Sequence, residues 1–270
     1  MFGSWLTLKV GFIEQSAKHI SIDPGTASVM LFAVRILLAV LVAAVPLLGQ
    51  PVTPRYEVKR APSPIAIDGR LDDAAWAGAS APLTLQFLWD SHTGAKQATL
   101  ARLLWDAQAL YVGYDVEDAD ITAQYTERDD PTYRDDAVEI FINPNPAQEV
   151  VYYGFEWNAR GVMYDYLNYN SRTLFKRYDA TGVKVAASLR GTLNMRTDTD
   201  KGWSLEAAIP WANFEELSRR PPAAGAIWKA NVNRWDGVEP NRRMSIWSDP
   251  QQATPWPHVP ARFGELVFVD

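Results

Sequence analysis

Any chemistry in this chain has to come from carboxylates. Adjacent acids recur at Asp72-Asp73, Asp129-Asp130 and Asp135-Asp136. Two carboxyl groups can hydrolyse a glycosidic bond when they stand a set distance apart and one keeps its proton. Sequence spacing does not give that distance, and adjacent acids ordinarily face water. Other reactive groups are scarce. The absence of Cys excludes disulfides, thiolate catalysis and Cys-ligated metals. Three histidines, His19, His92 and His258, stand far apart and leave little for Ser-His chemistry. No nucleophile elbow, phosphate-binding loop, dinucleotide fingerprint or H-E-x-x-H motif occurs. The acidic stretch Asp115 to Asp120 offers oxygen ligands that could hold Ca²⁺, although it lacks EF-hand spacing.

Composition narrows the classes further. The formal net charge is −6 and no basic stripe is present, which argues against a nucleic-acid partner. Hydrophobic residues make up 47% of 270, enough for a sizeable core. Eleven Trp are more than such a core normally needs, and Trp and Tyr recur at binding surfaces because they join an apolar face to a polar handle.

The elements that would position these groups read as strands. Period-2 alternation recurs from about residue 50 onward, at Ala98 to Asp106, Leu110 to Val116, Val138 to Ile142, Val183 to Leu189, Trp203 to Ile209, Trp228 to Val232 and Leu266 to Val269. Val150 to Asn158 and Val162 to Tyr169 flank Asn158-Ala-Arg-Gly161, a turn signal that predicts a hairpin. Helical signals are limited to Asp72 to Gly78 and to Trp211 to Leu217 after Pro210. The expected fold is all-β, a single sandwich of antiparallel sheets, jelly-roll or immunoglobulin-like, with short helical insertions. Residues 55–270 contain no linker or repeat and read as one domain.

The first fifty residues read differently. Arg35 followed by the apolar run Ile36 to Val45 has the layout of a secretory signal peptide, placed at 30–49 with a cut near Gly49-Gln50. Residues 1–29 are then an extension ahead of a natural start at Met30, and the domain is exported to the periplasm, cell surface or medium. The competing reading is an uncleaved membrane anchor from Ala27 to Leu48, the sole route to membrane contact.

Six blocks carry a resemblance. They are Ile67-Asp68-Gly69-Arg70-Leu71-Asp72 with Trp76; Leu104-Trp105-Asp106 with Leu110-Tyr111-Val112; Asp136-Ala-Val-Glu139-Ile-Phe141-Ile142; Glu206-Ala-Ala-Ile209-Pro210-Trp211; Trp247-Ser248-Asp249-Pro250; and Arg262-Phe263-Gly264-Glu-Leu266. In this order they resemble carbohydrate-binding module family 9, across residues 65–268. The resemblance implies a β-sandwich that holds an oligosaccharide or polysaccharide between two aromatic rings, without chemistry of its own, as an accessory to polysaccharide breakdown. It puts the first ring at Tyr133, a hydroxyl acceptor at Glu139 and the second ring at Trp256. Glu156 stands where the family has a sugar-binding Arg, a departure that bears on the family's preference for free reducing ends of glucan and xylan fragments. Gln252 lies near a loop amide of the family, and Asn158 shares strand parity with Glu156.

The residues are compatible with those roles but do not decide them. Sugars present C–H faces to aromatic rings and hydroxyl edges to paired donors and acceptors. Glu139 falls on the opposite strand face from Val138, Ile140 and Ile142, so Glu139, Glu156 and Asn158 could converge on one polar face. Glu139 reads equally as a structural carboxylate bonded to Arg128 or Arg234. Trp256 reads as a loop Trp over the core or, stiffened by Pro255 and Pro257, as a platform. Trp76, Trp105, Trp203 and Trp228 belong to the core by their pattern. Other readings of the fold stay open: a haem-binding sandwich using Met163, Met195, Met244 or His258, a hydrolase using the acidic pairs, and a cell-surface scaffold without a sugar site.

Overall fold

Tyr56, Val58, Leu103, Val112, Leu205 and Phe268 alternate with outward-facing neighbours and are all buried, as inward positions of pleated strands must be. They belong to a computed structural model that describes residues 53–89, 95–170, 173–175, 178–215, 218 and 221–270. Residues Thr53–Asp270 form one compact unit. The segment read as extension and signal, with His19, lies outside the described residues, as does His92. No helix of the described residues is long and apolar enough to cross a membrane.

Thirteen strands are described: β1 (Arg55–Arg60), β2 (Leu83–Thr84), β3 (Thr99–Trp105), β4 (Ala109–Val116), β5 (Ala137–Asn143), β6 (Tyr152–Asn158), β7 (Met163–Asn170), β8 (Thr173–Phe175), β9 (Lys184–Leu189), β10 (Trp203–Pro210), β11 (Ile227–Asp236), β12 (Arg243–Ile246) and β13 (Gly264–Val269). They run in the order β8-β7-β6-β5-β11-β13-β1-β3-β4-β10-β9, with β12 on β11 and β2 on β3. Inward residues of β3, β4 and β10 meet those of β5, β6 and β11 in one core, so the path folds over itself as a sandwich. Trp76, Trp105, Trp203 and Trp228 are buried as their pattern predicts. The helical signals appear as single 3₁₀ turns, Ala74–Gly78 and Trp211–Phe214.

The sheet is mixed rather than purely antiparallel. β1 runs parallel to both β13 and β3 and joins the two halves. Its sequence, Arg-Tyr-Glu-Val-Lys-Arg, alternates charge with Tyr56 and Val58 over too few residues to stand out, and pairing direction is set by partners distant in the chain. β2, β8 and β12 are also short and owe their form to the strands they lean on.

Two of the six sequence blocks meet each other. Glu206, on β10, accepts from the backbone N–H groups of Asp68 and Gly69 at 3.1 and 3.0 Å and from Trp76 Nε1 at 2.7 Å. Ser204 Oγ donates to the Gly69 carbonyl. Gly69 has φ +86°, and a Cβ there would lie 2.7 Å from the backbone of Ala187. The I-D-G turn is therefore a strap clamped over β9 and β10, and only glycine fits its tightest point. Glu206→Ala would strand three donors, two on the strap and one on a buried indole. Each such loss costs about 1–3 kcal/mol when water cannot substitute. Chemical denaturation is expected to show a loss of roughly 3 kcal/mol, and a loss below about 1 kcal/mol would mean the strap is held elsewhere.

Candidate functional site

The face of β5–β7 opposite the main core carries a second set of apolar groups. Phe141, Tyr152, Tyr164, Tyr166 and Phe263 cluster there, with Tyr133 against their edge. Glu139 shares this face with Phe141, as strand parity requires. The ladder places Glu139 directly opposite Glu156 and Glu156 opposite Tyr164. Gly154 lies between Phe141 and Tyr166 in the same ladder; a Cβ there would come within 2.2 Å of the Tyr166 ring. That glycine lets the Tyr166 ring lie flat across the sheet.

These residues wall a pocket of about 320 Å³, lined by Tyr133, Glu139, Glu156, Tyr164, Tyr166, Trp235, Trp256, Pro257 and His258. Its aromatic members are held from several directions. Tyr133 sits on the turn Thr132–Arg134 and meets Tyr164 edge to face at 5.7 Å. Trp256 stands in the loop before β13, 48% exposed, with its ring 4.8 Å from His258. His258 stacks on Phe141 at 4.9 Å, and its Nδ1 is 2.6 Å from the Tyr152 hydroxyl. Burial pushes the His258 pKa down to about 4, so this ring is neutral at neutral pH.

The acids are buried. Glu139 is 1% exposed and Glu156 3%. Glu139 accepts from Asn233 Nδ2 at 3.3 Å. Burial raises its pKa to about 7, opposed by the Arg242 guanidinium and by hydrogen bonds from Asn233 and Trp235. Burial and the facing charge of Glu139 hold Glu156 well above the usual carboxylate range. Glu156 Oε2 and the Tyr166 hydroxyl are both enclosed without a hydrogen bond of good geometry. Both carboxyl groups are thus pushed toward their protonated forms, Glu156 by the Glu139 charge as well as by its own burial.

Tyr133, Glu139, Glu156 and Trp256 thus meet around one cavity, whereas Asn158 and Gln252 do not line it. Asn158 donates to the Tyr125 carbonyl and to Asp135 and accepts from Arg160 N and Val162 N. Its amide oxygen is spent on the hairpin turn and its amide N–H groups on the loop before β5. Gln252 is exposed; its side chain donates to the Pro250 carbonyl and its own carbonyl accepts from Trp89 Nε1. Neither arginine weighed for Glu139 reaches it: Arg128 pairs with Asp165 at 2.6 Å, and Arg234 with Asp118 and Asp236.

The other candidate chemistry disperses. Asp73, Asp130, Asp135 and Asp136 accept backbone N–H groups of Ala66, Thr126 and Glu127, Gln124 and Tyr125, and Thr122 and Gly237, respectively. These acids close loops. The stretch read for Ca²⁺ spends Asp115 on Arg190, Asp118 on Arg234 and Asp120 on Arg196. Asp118, Asp136 and Asp236 do converge, with oxygens within 4.8 Å of one another, and Arg234 supplies positive charge to two of them. Met163 and Met244 are buried on β7 and β12, and Met195 is exposed in a loop, so these three sit on separate elements.

Sequence reading missed Tyr164, Tyr166, Trp235 and His258 as lining residues. Two were within reach. Once the Asn158–Gly161 turn fixes the β6–β7 register, Tyr164 and Tyr166 stand across from Glu156 and Gly154. Trp235 depends on the β5–β11 pairing, which no local signal specifies.

An aromatic pocket with an acidic floor, on a β-sandwich, defines a small-molecule binding module. The chain belongs to the carbohydrate family 9 binding domain-like family, whose model matches residues 67–270. It is 29% identical over 204 residues to the exoglucanase XynX of Acetivibrio thermocellus, covering 75% of this chain and 16% of that protein. A solved protein of Bacteroides uniformis has TM-score 0.67 at 21% identity, covering 80% of this chain and 100% of its own. Family 9 modules of Caldicellulosiruptor kristjanssonii, in complex with cellotriose and with glucose, give TM-scores of 0.55 and 0.53 at 21% and 20% identity. They cover 80% and 79% of this chain and 93% and 95% of theirs. At such identities the structural likeness speaks to the fold alone.

The raised pKa of Glu156 has a sign that can be checked. A buried acid whose folded pKa exceeds its unfolded value stabilises below about 4.5, and that stability drains away as pH rises through the folded pKa. Glu156→Gln is therefore expected to gain thermal stability relative to the wild type between pH 4.5 and pH 8. A difference in melting temperature that stays flat across that range would mean that Glu156 ionises freely.

Proposed function

We propose that this domain is an exported, non-catalytic carbohydrate-binding module that holds a sugar ring between Tyr133 and Trp256 and serves polysaccharide recognition or breakdown. The observation that carries the reading is the meeting of an exposed Trp, a second ring and two carboxyl groups around one cavity. Sugar C–H faces lie on the rings, and the acids meet hydroxyls. The Caldicellulosiruptor modules with bound cellotriose and glucose support a glucose-based ligand. The match to 16% of an exoglucanase supports an accessory place beside glycoside hydrolysis. Export rests on the signal-like run at 30–49. The use of Asp73, Asp130, Asp135 and Asp136 in loop closure weighs against a hydrolase.

Titration of the full chain with glucose and cello-oligosaccharides, followed by intrinsic Trp fluorescence, tests the proposal. Saturable binding in the millimolar to micromolar range is expected. Trp256→Ala and Tyr133→Ala are each expected to weaken it tenfold or more, or about 1.4 kcal/mol. Full affinity in the double variant would move the site elsewhere, and no binding from folded protein would favour a scaffold.

A further inference from the structure

The pocket is short of positive charge. Its walls carry two carboxyl groups, and no lysine or arginine lines it among the described residues. Its histidine is neutral. Glu139 and Glu156 face each other across the β5–β6 ladder, the arrangement in which like charges destabilise a sheet. Glu156 forms part of the wall, and its enclosed Oε2 has no well-formed hydrogen bond. Three tyrosines, Tyr133, Tyr164 and Tyr166, also border the space.

The charged and titratable groups around the pair come from every element packed on it. β5 gives Glu139, β6 Glu156, and β7 Tyr164 and Tyr166. Tyr133 stands on the turn before β5 and His258 on the loop before β13. Arg242, which stacks over the Trp235 ring at 3.9 Å, is the cation that acts on the pair. Its opposition to burial is the foremost one at Glu139 and comes last at Glu156. The one cation that reaches the pair thus counts chiefly at Glu139 and least at Glu156.

We propose that the pocket takes an amino sugar, a pyranose whose ammonium group sits against the Glu139–Glu156 pair while its ring lies between Tyr133 and Trp256. The inference rests on the sugar-binding reading above and names the sugar class. An ammonium donates three hydrogen bonds and carries the positive charge that the pocket lining lacks. Hydrogen bonds with an ionised partner are about twice as strong as neutral ones. A uronic acid would bring a third carboxylate to the same place and is excluded by repulsion.

Glucosamine, glucose, N-acetylglucosamine and glucuronate, titrated into the full chain at pH 7.0, separate the outcomes. Glucosamine is expected to bind roughly tenfold tighter than glucose, N-acetylglucosamine to lose that advantage, and glucuronate to bind weakest. In Glu156→Gln, of the same shape but without the ionisable group, the glucosamine-to-glucose ratio is expected to fall close to one. Glucose binding as tightly as glucosamine, or an unchanged ratio in Glu156→Gln, overturns the inference and leaves the sugar site standing. No binding of any of the four overturns the sugar site itself and the inference with it.

Discussion

A buried guanidinium holds the architecture together. Arg234 is fully enclosed, with Nη1 donating to the carbonyls of Gln97 and Glu117 and to Thr99 Oγ1, and Nη2 to Asp118 and Asp236. Removing one partner of such a buried network costs several kcal/mol, because the charges left behind have no water to fall back on. The network ties β3, β4 and β11 to the segment that enters β5. Asp136, its third acid, accepts from Thr122 N and Gly237 N, and the adjacent Asp135 closes the 124–125 loop and holds Asn158. Burial and the neighbouring Asp118 raise the pKa of Asp136, and the Arg234 guanidinium opposes that rise.

The pocket inherits its geometry from this knot through strand alternation. Arg234 pairs with Val138 on the core face of β11, and the next residue, Trp235, turns to the pocket face. Asp136 points inward with Val138, whereas Glu139 points outward with Phe141. The anchoring residues and the lining residues are thus neighbours in sequence on opposite faces. A slip of one position in β5 or β11 would exchange anchors and lining at once. The same reasoning explains why Glu139 was open to two readings: a carboxylate in that stretch could belong to either face's network, and only the pairing with β11 shows that Arg234 lies behind the strand.

Much of the fold was legible because it is local. The alternating runs, the Asn158–Gly161 hairpin and the core tryptophans follow from side-chain period and turn chemistry, which act within ten residues. The parallel β1 was not, since its partners β3 and β13 lie far along the chain, and β2, β8 and β12, although they pair with nearby strands, are too short to show a period. In the site, Glu139 and Glu156 could be placed by parity, and Tyr133 and Trp256 by the resemblance. Asn158 has the right parity but the wrong allegiance. It sits at the strand end, where unpaired backbone groups of the turn compete for its amide, and parity cannot register that competition. Trp235 and His258 reach the pocket from a distant strand and a loop, and neither carries a local mark.

Several of the six sequence blocks turn out to serve the scaffold. Glu206 holds the I-D-G strap and Trp76; Ser248 bridges Asn231 and the Arg262 carbonyl; the acids of the loop before β5 close backbone turns. A family signature of this kind certifies the sandwich and says little about the ligand. The pocket-lining positions differ in kind. A sheet face needing only stability would be better filled by apolar side chains than by Glu139 and Glu156, since two facing buried acids oppose folding as soon as both ionise. Nor would a scaffold need an exposed Trp over that cavity. Groups that cost stability where they stand, around a space open to solvent, are what a binding site contributes to a fold that does not otherwise require them.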